Sequence, residues 1–179
     1  MVLTGKKVKD HSEAIKNEIR NLIALEIMEH TSTKIVAKDF LNMRDISLDG
    51  LIRKMDVICR SMMEDCANNF EEDNYENLLN RDTDVNRLTF LVFRVSRFGL
   101  ENTSFMLKKY DLNTIDLLNI WRIAFHLEAI ADETKRLTRY MRLIKFNKKS
   151  QEQLVELIKQ IKLSYMTTMK GYYTKDIEA

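Results

Sequence analysis

Four residues carry oxygen atoms whose types and spacing could do chemistry: Asp82, Asn86, Glu128 and Asp132. Asp82 and Asn86 are four positions apart, as are Glu128 and Asp132. On a helix that spacing puts both members of a pair on one face. Each pair lies beside an apolar seam. Asp82 takes the seam position between Leu78 and Val85, and Glu128 stands in a line between Ala124 and Ala131. If the two helices are antiparallel neighbours, the carboxylates converge. Converging carboxylates repel unless protons or cations neutralise them. Oxygen ligands of this kind suit iron, manganese, zinc or magnesium. The alternative is a set of solvated acids at the rim of a bundle, paired with Arg81, Arg87 or Arg136.

The elements that must position these groups are helices. The chain has 179 residues, four glycines and no proline, which favours long uninterrupted helices. The central one runs from Asn113 to Ile144. Its seam is Ile120, Ile123, Leu127, Ile130, Leu137, Met141 and Ile144, with Thr134 in the polar slot. A second line beside it is Leu117, Trp121, Ala124, Glu128 and Ala131. Trp121 and Phe125 read as packing residues.

Upstream, Ser47 opens a helix whose stripe from Leu48 to Cys66 reaches about Phe70. Glu71 to Asn74 is a turn. The next helix carries Leu78, Val85, Leu88, Val92 and Val95 and stops at Gly99. Leu100 to Leu112 reads as a linker. Ser150 and Gln153 suggest a capping box for a last helix with the stripe Leu154, Ile158, Ile161, Tyr165 and Met169. Before all of these, residues 1–45 read as a small strand-helix-strand segment. Its helix runs from the Asp10–Glu13 cap to about Ile27, and its strand covers Thr33 to Ala37, with which the chain start could pair. The expected fold class is therefore mainly α: a three-helix bundle over 46–148, a fourth long helix over 149–179, and a small N-terminal α/β segment.

A shift of 103 residues aligns Leu51 with Leu154, Met55 with Ile158, Ile58 with Ile161 and Asp73 with Asp176. The last helix thus reads as the first helix of a second, incomplete bundle. Either the sequence is a fragment of a longer protein, or this helix packs as a fourth helix or against another chain. Its apolar stripe needs cover in either case.

Other signals restrict function. The net charge of +2 does not by itself call for nucleic acid. A basic run of Lys135, Arg136, Arg139, Arg142, Lys145, Lys148 and Lys149 offers contact with phosphate, nucleic acid or a membrane surface. The plainer reading is a solvated face that complements the helix C-terminus. Cys59 and Cys66 both sit on the apolar stripe, about 10 Å apart along the axis. They read as core thiols in a reducing, cytoplasmic setting. No apolar run approaches the length of a membrane span. His11, His30 and His126 read as surface residues. No Glu-x-x-His motif, phosphate loop or nucleophile-base signature is present, so the reading is non-enzymatic.

The order of segments resembles the archaeal branch of the PhoU-like phosphate uptake regulators. The match is carried by Ile19-Arg-Asn-Leu-Ile-Ala-Leu-Glu26, Leu51-Ile-Arg-Lys-Met55, Met62-Met-Glu-Asp65, Arg81-Asp-Thr-Asp-Val-Asn-Arg-Leu88 and Glu128-Ala-Ile-Ala-Asp132. The resemblance implies paired three-helix bundles and an acid-x-x-x-Asp motif that holds iron or zinc, with magnesium a weaker candidate. Glu128 and Asp132 match that motif fully. Asp82 matches its first position, while Asn86 replaces the second carboxylate and brings no charge. The resemblance further implies regulation of phosphate uptake through contacts with a phosphate transporter or a sensor protein. It also implies DNA contact only through an N-terminal AbrB-type domain, expected to lie outside this sequence, while self-association is what the apolar stripe of the last helix calls for if nothing in the chain covers it. Peripheral membrane contact is a further expected partner, offered by the basic run. An alternative function is a metal-free dimerisation and signal-transmitting module of a DNA-binding regulator.

Overall fold

A computed structural model describes residues 1–175. In chain order the elements are β1 (Val2–Thr4), α1 (Ser12–Asn21), β2 (Leu25–His30), β3 (Lys34–Asp39), α2 (Leu48–Ala67), α3 (Tyr75–Glu101), α4 (Thr103–Tyr110), α5 (Thr114–Leu143) and α6 (Lys148–Thr174). The fold is mainly helical, with a small three-stranded sheet near the N-terminus.

The sheet is antiparallel in the order β1-β3-β2. The chain start does pair with the expected strand, Val2 opposite Val36. The helix before it is shorter than its cap suggested. It ends at Asn21, the backbone turns at Ala24 with φ 61°, and Leu25–His30 forms a strand instead of a last helical turn. The reason is a change of period. Leu25 and Ile27 alternate with Glu26 and Met28, so as a strand they face Ile19 and Ile35 while Glu26 and Met28 face out. Arg94 of α3 fastens this small unit to the bundle. Its Nη1 donates to the Ile23 carbonyl at 2.6 Å, and its Nη2 pairs with Asp39.

The main core lies among α2, α3 and α5. Ser47 caps α2 as expected, its Oγ accepting from the Gly50 N–H. Asn113 and Asp116 form a reciprocal capping box at the start of α5. The buried line of α5 is Leu117, Ile120, Ala124, Leu127, Ala131, Thr134, Thr138 and Met141. It runs between the two lines read from the sequence, so Ile123, Ile130 and Leu137 are only half-buried and Ile144 is exposed. The hydroxyls of Thr134 and Thr138 donate to the carbonyls four residues back, which makes them tolerable inside.

Gly99 does not end α3. The helix continues to Glu101, and a Cβ at Gly99 would stand 2.9 Å from Leu117 Cδ1. This glycine lets α5 approach closely. The expected linker contains α4, which buries Met106 and ends at Asp111 in the left-handed conformation, φ 54°. Similarly, the cap of α6 is Asn147, whose side chain accepts from the Ser150 N–H, rather than Ser150 itself.

Helix α6 packs on α2 as a fourth helix. Ile158, Tyr165 and Met169 are buried there, whereas Ile161 remains half-exposed. What holds the two helices is a buried carboxylate. Asp56 of α2 receives Arg60 Nε and Nη2 at 2.8 and 2.7 Å, Tyr165 Oη at 2.8 Å and Tyr173 Oη at 3.0 Å. Both oxygens are thereby satisfied twice. On its other side α6 leaves a groove of about 530 Å³ against α5, floored by Met63, Cys66, Ile130, Leu137 and Ile158. Asp176, the repeat counterpart of Asp73, lies outside the described residues. No described helix is long and apolar enough to cross a membrane.

Candidate functional site

The acids of α3 and α5 come together. Asp82 is buried between Leu78 and Val85, as its seam position requires. Its Oδ2 accepts from Lys135 Nζ at 2.7 Å and, more weakly, from Asn86 Nδ2 at 3.5 Å. The same Lys135 Nζ lies 2.7 Å from Asp132 Oδ1. Asp132 Oδ2 then accepts from Arg136 Nη2 at 2.7 Å, and Arg136 Nη1 donates to Glu133. Asp82 Oδ1 is buried and has no hydrogen-bond partner among the described residues.

Three titrations follow from this arrangement. The hydrogen bond from Lys135, aided by the Lys135 and Arg136 charges, holds the Asp132 carboxyl below the usual range against its partial burial. Burial raises the Glu128 carboxyl, and the Asp132 and Asp82 charges raise it further, outweighing the lowering by the Lys135 charge. Burial works against the Lys135 ammonium, yet its hydrogen bonds to Asp132 and Asp82 outweigh that and raise its pKa.

Lys135 is therefore the cation that the converging carboxylates require. In the sequence it is one member of a basic run. In the fold it leaves that run and turns inward between α3 and α5. Of the arginines named as rim partners, Arg136 does pair with Asp132, while Arg81 pairs with Asp65 and Arg87 reaches Asp84 at 3.9 Å. Among the described residues no three His, Cys, Asp or Glu side chains gather as a metal-holding group. As arranged, the ammonium sits between the carboxylates and Asn86 presents its NH2 to Asp82. An iron or zinc ion at Asp82, Asn86, Glu128 and Asp132 does not fit until Lys135 withdraws.

Beside the acids the same two helices carry an apolar strip. Two contacts set the antiparallel register: Asp82 with Lys135, and Phe93 with Trp121, ring centroids 6.1 Å apart. That register brings Asn86 opposite Glu128 and Phe90 opposite Phe125. Trp121 packs against Phe93, yet neither Trp121 nor Phe125 is buried. Trp121 is 39% exposed and Phe125 56%, with Phe90 and Phe93 at 53% and 45%. They lie one step off the buried line, because Ala124 and Leu127 already fill the contact with α2 and α3.

The remaining candidates are quiet. His11, His30 and His126 are exposed. Cys59 donates to the Leu127 carbonyl, and burial pushes its thiol up to about 12, so it is a core residue. Two residues escaped the sequence reading. Lys135 was hidden by its basic neighbours. Asp56 interrupts the α2 stripe four residues after Ile52 and four before Arg60, a visible but unread signal.

Comparison of the chain with protein-family models, with curated proteins and with solved structures finds no match.

Proposed function

We propose that this chain is a non-enzymatic regulatory scaffold that works by protein contact through the outer face of α3 and α5. Its resemblance to the PhoU-like regulators suggests that the process it restrains is phosphate uptake. The observation that carries the contact reading is the exposed strip of Phe90, Phe93, Trp121 and Phe125 running into a carboxylate cluster. Monomeric surfaces rarely keep such aromatic rows uncovered without use. The Lys135 ammonium already neutralises the buried acids, which favours a scaffold that needs no metal.

The test is genetic. Deletion of the gene in its own organism raises uptake of labelled phosphate in phosphate-rich medium, and the intact gene restores it. A variant with Phe93→Ala and Phe125→Ala, folded and expressed at the normal level, fails to restore it. Unchanged phosphate uptake on deletion removes the phosphate assignment. A metal-free signal-transmitting module attached to a DNA-binding domain is the second reading, favoured by the same internal neutralisation. It is distinguished by a change in transcription with unchanged phosphate uptake.

A further inference from the structure

The outer face of α3 and α5 has a polarity along its length. At one end stand Leu118, Trp121 and Phe125 of α5, with Phe93 and Phe90 of α3. At the other end stand Glu128 and Asp132. Positions 118, 121, 125, 128 and 132 follow three-four steps, so they form one row on α5. The row spans about 21 Å, roughly four helical turns. Within it the carboxylates are unequal. Asp132 is held by Lys135 and Arg136, but Glu128 takes no hydrogen bond from the described residues. It is half-buried and forms no ion pair among the described residues, the nearby Lys135 being engaged by Asp82 and Asp132.

Two antiparallel helices make a shallow groove that a third helix can enter at the usual spacing of 8–10 Å. The face here offers exposed aromatic rings and, in Glu128, a carboxylate without an ion-pair partner among the described residues. Its complement is an apolar helix face with one cation in it. An anionic lipid surface lacks that complement, because Glu128, without an ion-pair partner among the described residues, stands at the end of the strip.

We propose that this face seats an amphipathic helix of another protein, with an arginine or lysine of that helix set against Glu128 and apolar side chains on Phe93, Trp121 and Phe125. This rests on the contact reading above and names the chemistry of its partner. The aromatic anchors supply the buried centre, and Glu128 sets register and selects the cationic partner.

Trp121 is the single tryptophan, so the protein carries its own reporter. The probe is an 18-residue helical peptide without tryptophan, with a leucine stripe and one central arginine in the stripe. Its control has glutamate at that place. The full chain is titrated with each peptide while Trp121 emission is followed. The arginine peptide shifts the emission to the blue and binds at least ten-fold more tightly than the glutamate peptide. Glu128→Gln, with unchanged circular dichroism, reduces that preference to less than three-fold. Phe93→Ala and Phe125→Ala each weaken both peptides.

Equal binding of the two peptides, or no binding of either, overturns the proposal. So does a preference that survives Glu128→Gln. Two other occupants would also overturn it: a blue shift produced by anionic vesicles and not by the arginine peptide, or one that grows with protein concentration alone and tracks a dimer in sedimentation. Phosphate uptake enters none of these readouts, so the docking claim and the phosphate assignment fail separately.

Discussion

Lys135 Nζ on α5 stands 2.7 Å from Asp82 Oδ2 on α3, across a sequence separation of 53 residues. This ion pair lies within the α3/α5 contact, which continues past it to Tyr75 and Arg142. Asp82 is almost wholly buried and Lys135 about three-quarters so. A pair of this kind adds little net stability, yet losing one partner leaves a charge stranded in a poor solvent.

Lys135→Met strands Asp82 and costs on the order of 2–3 kcal/mol, below the range for a fully buried pair because Lys135 reaches water. Urea unfolding followed by circular dichroism reads the loss. Asp82→Asn in the same chain recovers part of it. The variant also opens the space between the carboxylates, so added zinc raises the midpoint of Lys135→Met and leaves the native protein unchanged. A native protein stabilised by zinc would show that Lys135 yields its place to metal.

Acid titration separates the two α5 carboxyls. Asp132 has a lowered pKa, so its contribution is present above its usual value of 3.8 and is lost as pH falls through the lowered one. Glu128 has a raised pKa, so its contribution is present below 4.5 and is lost as pH rises through the raised one. Glu128→Gln therefore stabilises the protein at neutral pH, and Asp132→Asn destabilises it. Thermal midpoints from pH 3 to pH 7 show the two variants diverging from the native curve in opposite directions.

The attachment of α6 depends on Asp56. Asp56→Ala leaves Arg60, Tyr165 and Tyr173 without their shared acceptor and costs about 3–5 kcal/mol. Tyr165→Phe removes one donor and costs about 1–3 kcal/mol. Limited proteolysis locates the effect: in both variants the first cuts move to the α5–α6 turn near Phe146 and into α6.

Gly99→Ala presses a methyl group against Leu117 and Met106. The cost is about 1–3 kcal/mol, since both neighbours are buried. The double variant Gly99→Ala with Leu117→Val makes room and recovers part of that loss, measured by the same urea unfolding.

The sequence by itself determined where the long helices lie and which face of each carries acids. Those properties are local. A stripe such as Leu48, Ile52, Met55, Cys59 and Met62 is fixed by the helical period, and so is the shared face of Glu128 and Asp132. Cap chemistry was legible at Ser47, where one side chain meets a backbone N–H three residues on. It misled at Ser150, because Asn147 takes that role first. The period also failed at Leu25 and Ile27, which suit either a helical face or a strand until β3 offers its edge.

Tertiary structure alone decided which cation meets the acids, which helix covers α6 and which aromatics stay in water. Lys135 reads like its basic neighbours until α3 places Asp82 within reach. Trp121 reads as core until Ala124 and Leu127 fill the interface before it. The reason is range: periodicity and capping act over three or four residues, whereas charge neutralisation and burial depend on groups that only folding brings together.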